Sequence, residues 1–263
     1  MSKTEFLQTA QDAARAAAEV LEAWADTFTV SEKGPADLVT EADLESQRTI
    51  REIIAARFPD HAFLGEEGDR DTTSHAEYRW IVDPLDGTSN YVHRFPYYCV
   101  SIALEQNGEM IVGVVFDPNR DEMFTASKEN GARLNGRRIA PSTVDRLSEA
   151  LVVASLPVNV SVNQPAVRQF LSVLGVAQHL QRTGSAALNL CYVACGRIEA
   201  YFSTSLKPWD AAAGVLLVEE AGGRASTIAG GPLDVFVPDL LTSNGTALHE
   251  ELQRACMDAG CDD

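Results

Sequence analysis

The chain has 263 residues, 45% hydrophobic and 22% charged, the balance of a soluble globular protein with a sizeable core and one large domain or two small ones. Lys and Arg total 21 against 38 Asp and Glu, a formal charge of −17, and so acidic a surface excludes nucleic acid and anionic membrane as favoured partners. No apolar run approaches the ~20 residues of a membrane span, and the N-terminal stretch lacks the continuous apolar core of a signal peptide.

In chain order, residues 4–26 predict an amphipathic, Ala-rich helix, with Ser2 and Glu5 spaced as a capping box. Gly34-Pro35-Ala36-Asp37 breaks the pattern, and a second helix is expected over 40–58, capped by Thr40 with Asp43 in its first turn and stopped by Pro59. Strands follow. Trp80-Ile81-Val82 runs into Asp83, and stretches 98–105 and 110–116 flank the hairpin signal Asn107-Gly108. A third strand of that meander is expected over 122–126, with turns at Asn130-Gly131 and Asn135-Gly136. From about 148 the pattern alternates: strands over 150–155, 179–182, 198–202 and 240–243, and helices over 164–174, 185–195, 211–221 and 246–257. The boundary falls near 145–148. It separates an α+β half, 1–146, that carries most of the candidate ligands from an α/β half, 147–263. The five cysteines, Cys99, Cys191, Cys195, Cys256 and Cys261, form no CxxC pair, and this odd count fits a reducing cytoplasm better than a disulfide framework. Cys191 and Cys195, four apart on an expected helix, read as buried thiols more readily than as half a metal site.

Four acidic patches stand apart in the sequence: Asp43; Gly65-Glu66-Glu67-Gly68; the run from Asp83 through Pro84, Leu85, Asp86, Gly87, Thr88 and Ser89 to Asn90; and Trp209-Asp210. In the third, a buried strand delivers Asp83 to a sheet edge, Pro84 fixes the backbone and Gly87 permits a tight turn. Asp83 and Asp86 can then face one centre with the Leu85 carbonyl between them, a hard oxygen set that suits Mg²⁺ rather than Zn²⁺. Gly87, Thr88 and Ser89 offer N–H groups and hydroxyls to an anion. Singly, each patch has a bland reading: a solvated turn, common punctuation, a helix cap or a first-turn acid.

Jointly they resemble the inositol monophosphatase family of Mg²⁺-dependent, lithium-sensitive phosphomonoesterases. The resemblance rests on Asp43, Glu66-Glu67, the run Asp83 to Ser89, and Trp209-Asp210 followed by eleven residues and Gly222-Gly223. The stretches from Asn90 to Pro96 and from Gly184 to Asn189 also read like the family, so the likeness spans about 35–245. It implies an α+β, layered α-β-α-β-α sandwich of the sugar-phosphatase type, shared with fructose-1,6-bisphosphatase, and a homodimer. It implies one Mg²⁺ on Glu66, Asp83 and the Leu85 carbonyl, a second on Asp83, Asp86 and Asp210, and a weaker third that gives Glu66 a catalytic share. Asp43 and Thr88 would activate the attacking water. Gly87, Thr88 and Ser89 would receive the phosphate, and Gly184, Ser185 and Ala186 would wall the substrate, although Ser185 serves equally as an ordinary helix cap. His93 and Arg94 read as structural, since the chemistry calls for no imidazole.

One departure bears on the substrate. Inositol-specific members carry a glutamate seven residues before the Trp-Asp aspartate, and here that position is Ser203. The implied substrate is a small phosphorylated polyol or sugar, inositol 1-phosphate by default, with histidinol phosphate, fructose 1,6-bisphosphate and 3′-phosphoadenosine 5′-phosphate as alternatives. Lys207 is the one basic residue near Ser203 that could favour a second phosphate. A reading of another class is a non-catalytic regulator on the same scaffold, acting with RNA polymerase or the ribosome as some bacterial relatives do.

Overall fold

The computed structural model describes residues 2–34, 37–68 and 76–259. Pro35 and Ala36 of the expected break, and Cys261, lie outside the described residues. Helix α1 (Lys3–Trp24) starts where Ser2 Oγ accepts the Glu5 amide at 3.3 Å. Its buried stripe is Phe6, Ala10, Ala13, Ala14, Ala17 and Leu21, the spacing of one helical face. A two-stranded antiparallel hairpin, β1 (Val30–Gly34) and β2 (Asp37–Thr40), leads into α2 (Glu41–Arg57), which packs on α1.

A seven-stranded sheet follows: β3 (Ala62–Gly65), β4 (Tyr78–Asp86), β5 (Cys99–Gln106), β6 (Glu109–Asp117), β7 (Glu122–Ser127), β8 (Ala132–Leu134) and β9 (Arg137–Arg138), paired in that order. The short helix α3 (Thr88–Val92) sits between β4 and β5. The expected hairpin turns at Asn107-Gly108, but the sheet is not wholly antiparallel: β3 runs parallel to β4. Its strands are apolar on both sides because both faces are covered. Trp80, Val82, Ile102 and Val114 join the cluster under α1 and α2, while Ile81, Ala103 and Val115 join the cluster on the opposite face.

The second sheet contains β10 (Leu151–Ser155), β11 (His179–Gln181), β12 (Ala200–Ser203), β13 (Arg224–Ser226) and β14 (Leu240–Ser243), ordered β11-β10-β12-β14-β13. Its helices are α4 (Pro165–Leu174), α5 (Ala186–Ala194), α6 (Pro208–Ala221) and α7 (Leu248–Asp258). Helices α5 and α6 lie between the two sheets, and α4 and α7 cover the outer face of the second. The result is the layered α-β-α-β-α sandwich. The middle layer is thin because small residues meet there: a Cβ at Gly113 would stand 2.8 Å from the Ala213 carbonyl oxygen. The cluster between the two sheets therefore draws on both halves. Cys99, Cys191, Cys195 and Cys256 are free thiols, and no helix of the described residues is long and apolar enough to cross a membrane.

Candidate active site

Strand β4 shapes the site. Asp83 pairs with Ser101 and Asp86 with Cys99, so β4 spends three steps where β5 spends two. In a regular strand, side chains three apart point to opposite faces. The extra residue restores the parity and turns Asp83 and Asp86 to the same side, which is what a bulge does at a site. Asp83 Oδ1 accepts the Leu85 amide at 3.0 Å, and Ser46 of α2 donates to the Pro84 carbonyl at 3.1 Å, so the bulge is held from both sides. Gly87 then takes φ 101°, and a Cβ there would meet the Tyr97 carbonyl oxygen at 3.0 Å.

The third acid comes from the other half. Helix α6 begins at Pro208, earlier than the sequence suggests, which places Asp210 inside its first turn. There its Oδ2 accepts the Lys207 amide at 2.7 Å, and Ser101 donates to the Trp209 carbonyl at 3.2 Å, tying α6 to β5. Asp83, Asp86 and Asp210 each present an oxygen, all within 4.8 Å of one another. Burial is the largest cause pushing all three up. Asp83, also facing the charges of Glu66, Asp86 and Asp210, lies well above the usual carboxylate range. Asp210 is pushed up to about 8 by burial and then by the Asp86 charge. Asp86 reaches only about 6, because Ser185 and the Ala186 and Ala187 amides hold its charge. Three crowded oxygen donors that resist ionisation alone fit a hard divalent cation, which would hold them ionised.

Asp43 lies fully buried beside this triad. Its Oδ2 accepts the Thr40 amide at 2.8 Å and the Thr40 hydroxyl at 2.6 Å, and its Oδ1 stands 3.2 Å from Thr88 Oγ1. Burial raises its pKa against the pull of Thr40, and the Glu66 charge adds to the rise. Thr88 Oγ1 is also 3.2 Å from the Leu85 carbonyl oxygen. A hydroxyl has one proton, so it serves one of these acceptors at a time. A cleft of about 520 Å³ opens over Asp86 and Asp210.

The chain matches the model of the Inositol monophosphatase family over residues 2–259. It belongs to that family. An inositol-1-monophosphatase of Synechocystis sp. is 41% identical over 253 residues, covering 95% of this chain and 88% of the relative. A Nus factor SuhB of Escherichia coli K12 is 37% identical over 223 residues, covering 83% and 82%. Among solved structures, an inositol monophosphatase from Anabaena (Nostoc) sp. PCC 7120 superposes with TM-score 0.86 at 37% identity, over 97% of this chain and 96% of that one. The extragenic suppressor protein suhB from Bartonella henselae gives 0.91 at 34%, over 96% and 98%.

Within this inositol monophosphatase scaffold the residues picked out by sequence fall into three groups. Asp83, Asp86 and Asp210 converge, with Asp43, Thr88 and the Leu85 carbonyl adjoining. Glu66 stands on the turn after β3, pinned by its amide on the Val82 carbonyl at 3.2 Å. It is outside the tight triad, yet its charge acts on Asp43, Asp83, Asp86 and Asp210. Ser89, Gly184 and Ala186 line the cleft. The expectation for Ser185 and Ala186 as open donors needs correction: the Ser185 hydroxyl and the Ala186 amide are engaged by Asp86. Ser203 also needs correction. It is buried, accepts the Ser205 amide at 3.3 Å and does not line the cleft, whereas Ser205 does.

Lys207 is exposed and absent from the cleft wall; the basic residue there is Arg182. Its position two residues before Gly184 was the available signal. Gln47 is a second omission. Its side chain both donates to the Glu67 carbonyl at 3.0 Å and accepts the Glu67 amide at 2.9 Å, fixing the Glu66-Glu67 turn on α2. A larger cavity, about 600 Å³, lies where Glu105, Met110 and Phe236 meet α6, away from every acid of the triad.

Proposed function

We propose that this protein is an Mg²⁺-dependent phosphatase of a small phosphorylated polyol or sugar, with inositol 1-phosphate as the default substrate. The convergence of Asp83, Asp86 and Asp210 within 4.8 Å, next to the Asp43–Thr88 pair, carries this reading. Glu66, Asp83 and the Leu85 carbonyl would hold one Mg²⁺; Asp83, Asp86 and Asp210 would hold a second; Glu66 would support a weaker third. Bound there, Mg²⁺ supplies Lewis-acid polarisation of phosphoryl oxygens and a lowered pKa for water.

The chain's own residues do the rest. Thr88 Oγ1 donates its proton to Asp43 Oδ1 and accepts one from the attacking water, so the pair moves a proton that neither moves alone. Asp43 is kept in place for this by both donors of Thr40. The water oxygen bonds to phosphorus, the ester P–O bond breaks, and the leaving oxygen takes up a proton to give an alcohol and inorganic phosphate. Gly87, Thr88 and Ser89 receive the phosphate. Gly184, Ser205 and Arg182 wall the remainder, and Arg182 would meet the second phosphate of the alternative substrate fructose 1,6-bisphosphate.

The protein acts in the cytoplasm as a homodimer. A second reading, a SuhB-type regulator, is favoured by relatives named Nus factor SuhB at 37–41% identity. Phosphate release across inositol 1-phosphate, histidinol phosphate, fructose 1,6-bisphosphate and 3′-phosphoadenosine 5′-phosphate separates the two. One preferred substrate supports the enzyme, and no release from any, with Mg²⁺ bound, supports the regulator.

A further inference from the structure

Asp86 is held unlike its two partners. Its Oδ2 accepts the Ser185 hydroxyl at 2.5 Å and the Ala187 amide at 2.7 Å, and Cys99 Sγ lies 3.7 Å away. Among the described residues its Oδ1 has a single, longer bond, from the Ala186 amide at 3.2 Å. Ser185 and Cys99 are both fully buried. Ser185 Oγ accepts the Leu188 amide at 3.3 Å and lies 3.7 Å from Cys99 Sγ. The only proton on Ser185 Oγ is spent on Asp86, so the single thiol proton of Cys99 is left to donate to Asp86 Oδ2, with Ser185 Oγ as its alternative acceptor. Oδ2 is thereby saturated, while Oδ1 keeps a free lone pair.

We propose that Ser185 and Cys99 are positioning residues for Asp86. They fix its carboxylate against the start of α5 so that the less occupied oxygen serves the triad. The two come from different halves of the fold: Cys99 is the cross-strand partner of Asp86, and Ser185 lies 99 residues beyond it. Asp86 therefore binds a cation well only when both sheets are in register around it. This rests on the reading of the triad as a cation site, and it gives Ser185 a role other than touching substrate. Partners of metal ligands commonly set affinity by about 10–100-fold.

The test is calorimetric Mg²⁺ binding to the full chain, with KM and kcat measured beside it. Ser185→Ala should weaken Mg²⁺ binding by about 10-fold, with KM for the ester moving less, and Ser185→Thr, which keeps the hydroxyl, should restore binding. Ser185→Ala also removes the cap of α5. Cys99→Ala leaves that cap intact and should weaken binding by about threefold, as befits a thiol donor. Wild-type binding with both alanine variants unchanged, or a Ser185→Ala effect confined to KM, overturns the positioning role alone. Wild-type protein that binds no Mg²⁺ overturns the cation site and this role with it.

Discussion

Asp210→Asn should make the metal-free protein more stable while abolishing its activity. The folded-state pKa of Asp210 is raised from 3.8 to about 8, chiefly by burial and by Asp86. The sign follows from linkage: the stabilising contribution is full below the unfolded pKa and is lost as pH rises towards the folded one. A rise of about four pKa units costs roughly 5–6 kcal/mol at pH 8 and above. The triad shares its protons, so removing one charge should return about half of that, roughly 2–3 kcal/mol. For a chain of this length that is about 5–10 °C in Tm. Asparagine keeps an acceptor for the Lys207 amide, so the first turn of α6 survives. Thermal melts in EDTA at pH 8 and pH 5 test this. The variant should melt higher at pH 8, the gap should shrink to roughly 1 kcal/mol at pH 5, and added Mg²⁺ should raise the wild type only. A variant that melts below wild type in EDTA at pH 8, or a gap independent of pH, refutes the argument.

Thr88→Ala should lower kcat by about 10²-fold or more while calorimetry finds Mg²⁺ affinity nearly unchanged; near-normal turnover would remove the proton-relay role. Lithium should inhibit uncompetitively in steady-state assays, as the family resemblance implies, and insensitivity would mean a different metal geometry. Arg182→Ala should raise KM for fructose 1,6-bisphosphate more than for inositol 1-phosphate, and equal changes would mean Arg182 does not touch the second anion. His249 is buried between Ser226 and Ser243, and burial, followed by the Arg224 charge, lowers its pKa to about 4. Its neutral form stabilises the fold fully above the unfolded value of 6.5, and that contribution, about 3 kcal/mol, is lost as pH falls towards 4. An imidazole NMR titration near pH 4 is expected; one at 6 or above contradicts it.

The acids were legible because each carries its own local chemistry: Asp83 follows an apolar run, Gly87 marks a turn, and Asp210 opens a helix. Their convergence was legible only through family likeness. Nothing local reveals the extra residue in β4 that turns Asp83 and Asp86 to one side, since a bulge is a property of two strands. The same limit explains Ser203. The count from Trp209-Asp210 points to Ser203, but which of Ser203 and Ser205 faces the cleft depends on how β12 ends. Ser185 could be read as a helix cap, which it is, but not as a donor to a carboxylate in the other half. The parallel β3–β4 pair escaped for want of a long apolar run in β3, which has only four residues.

Loaded with Mg²⁺, the triad should become a site that hydrolyses phosphate esters. The most direct measurement is phosphate release from inositol 1-phosphate by metal-stripped protein as Mg²⁺ is titrated in, with Asp83→Asn as the control. Release should be absent without Mg²⁺, saturable with it, and absent from the variant at any concentration. Release that persists in EDTA, or that survives Asp83→Asn, would contradict that role for the triad.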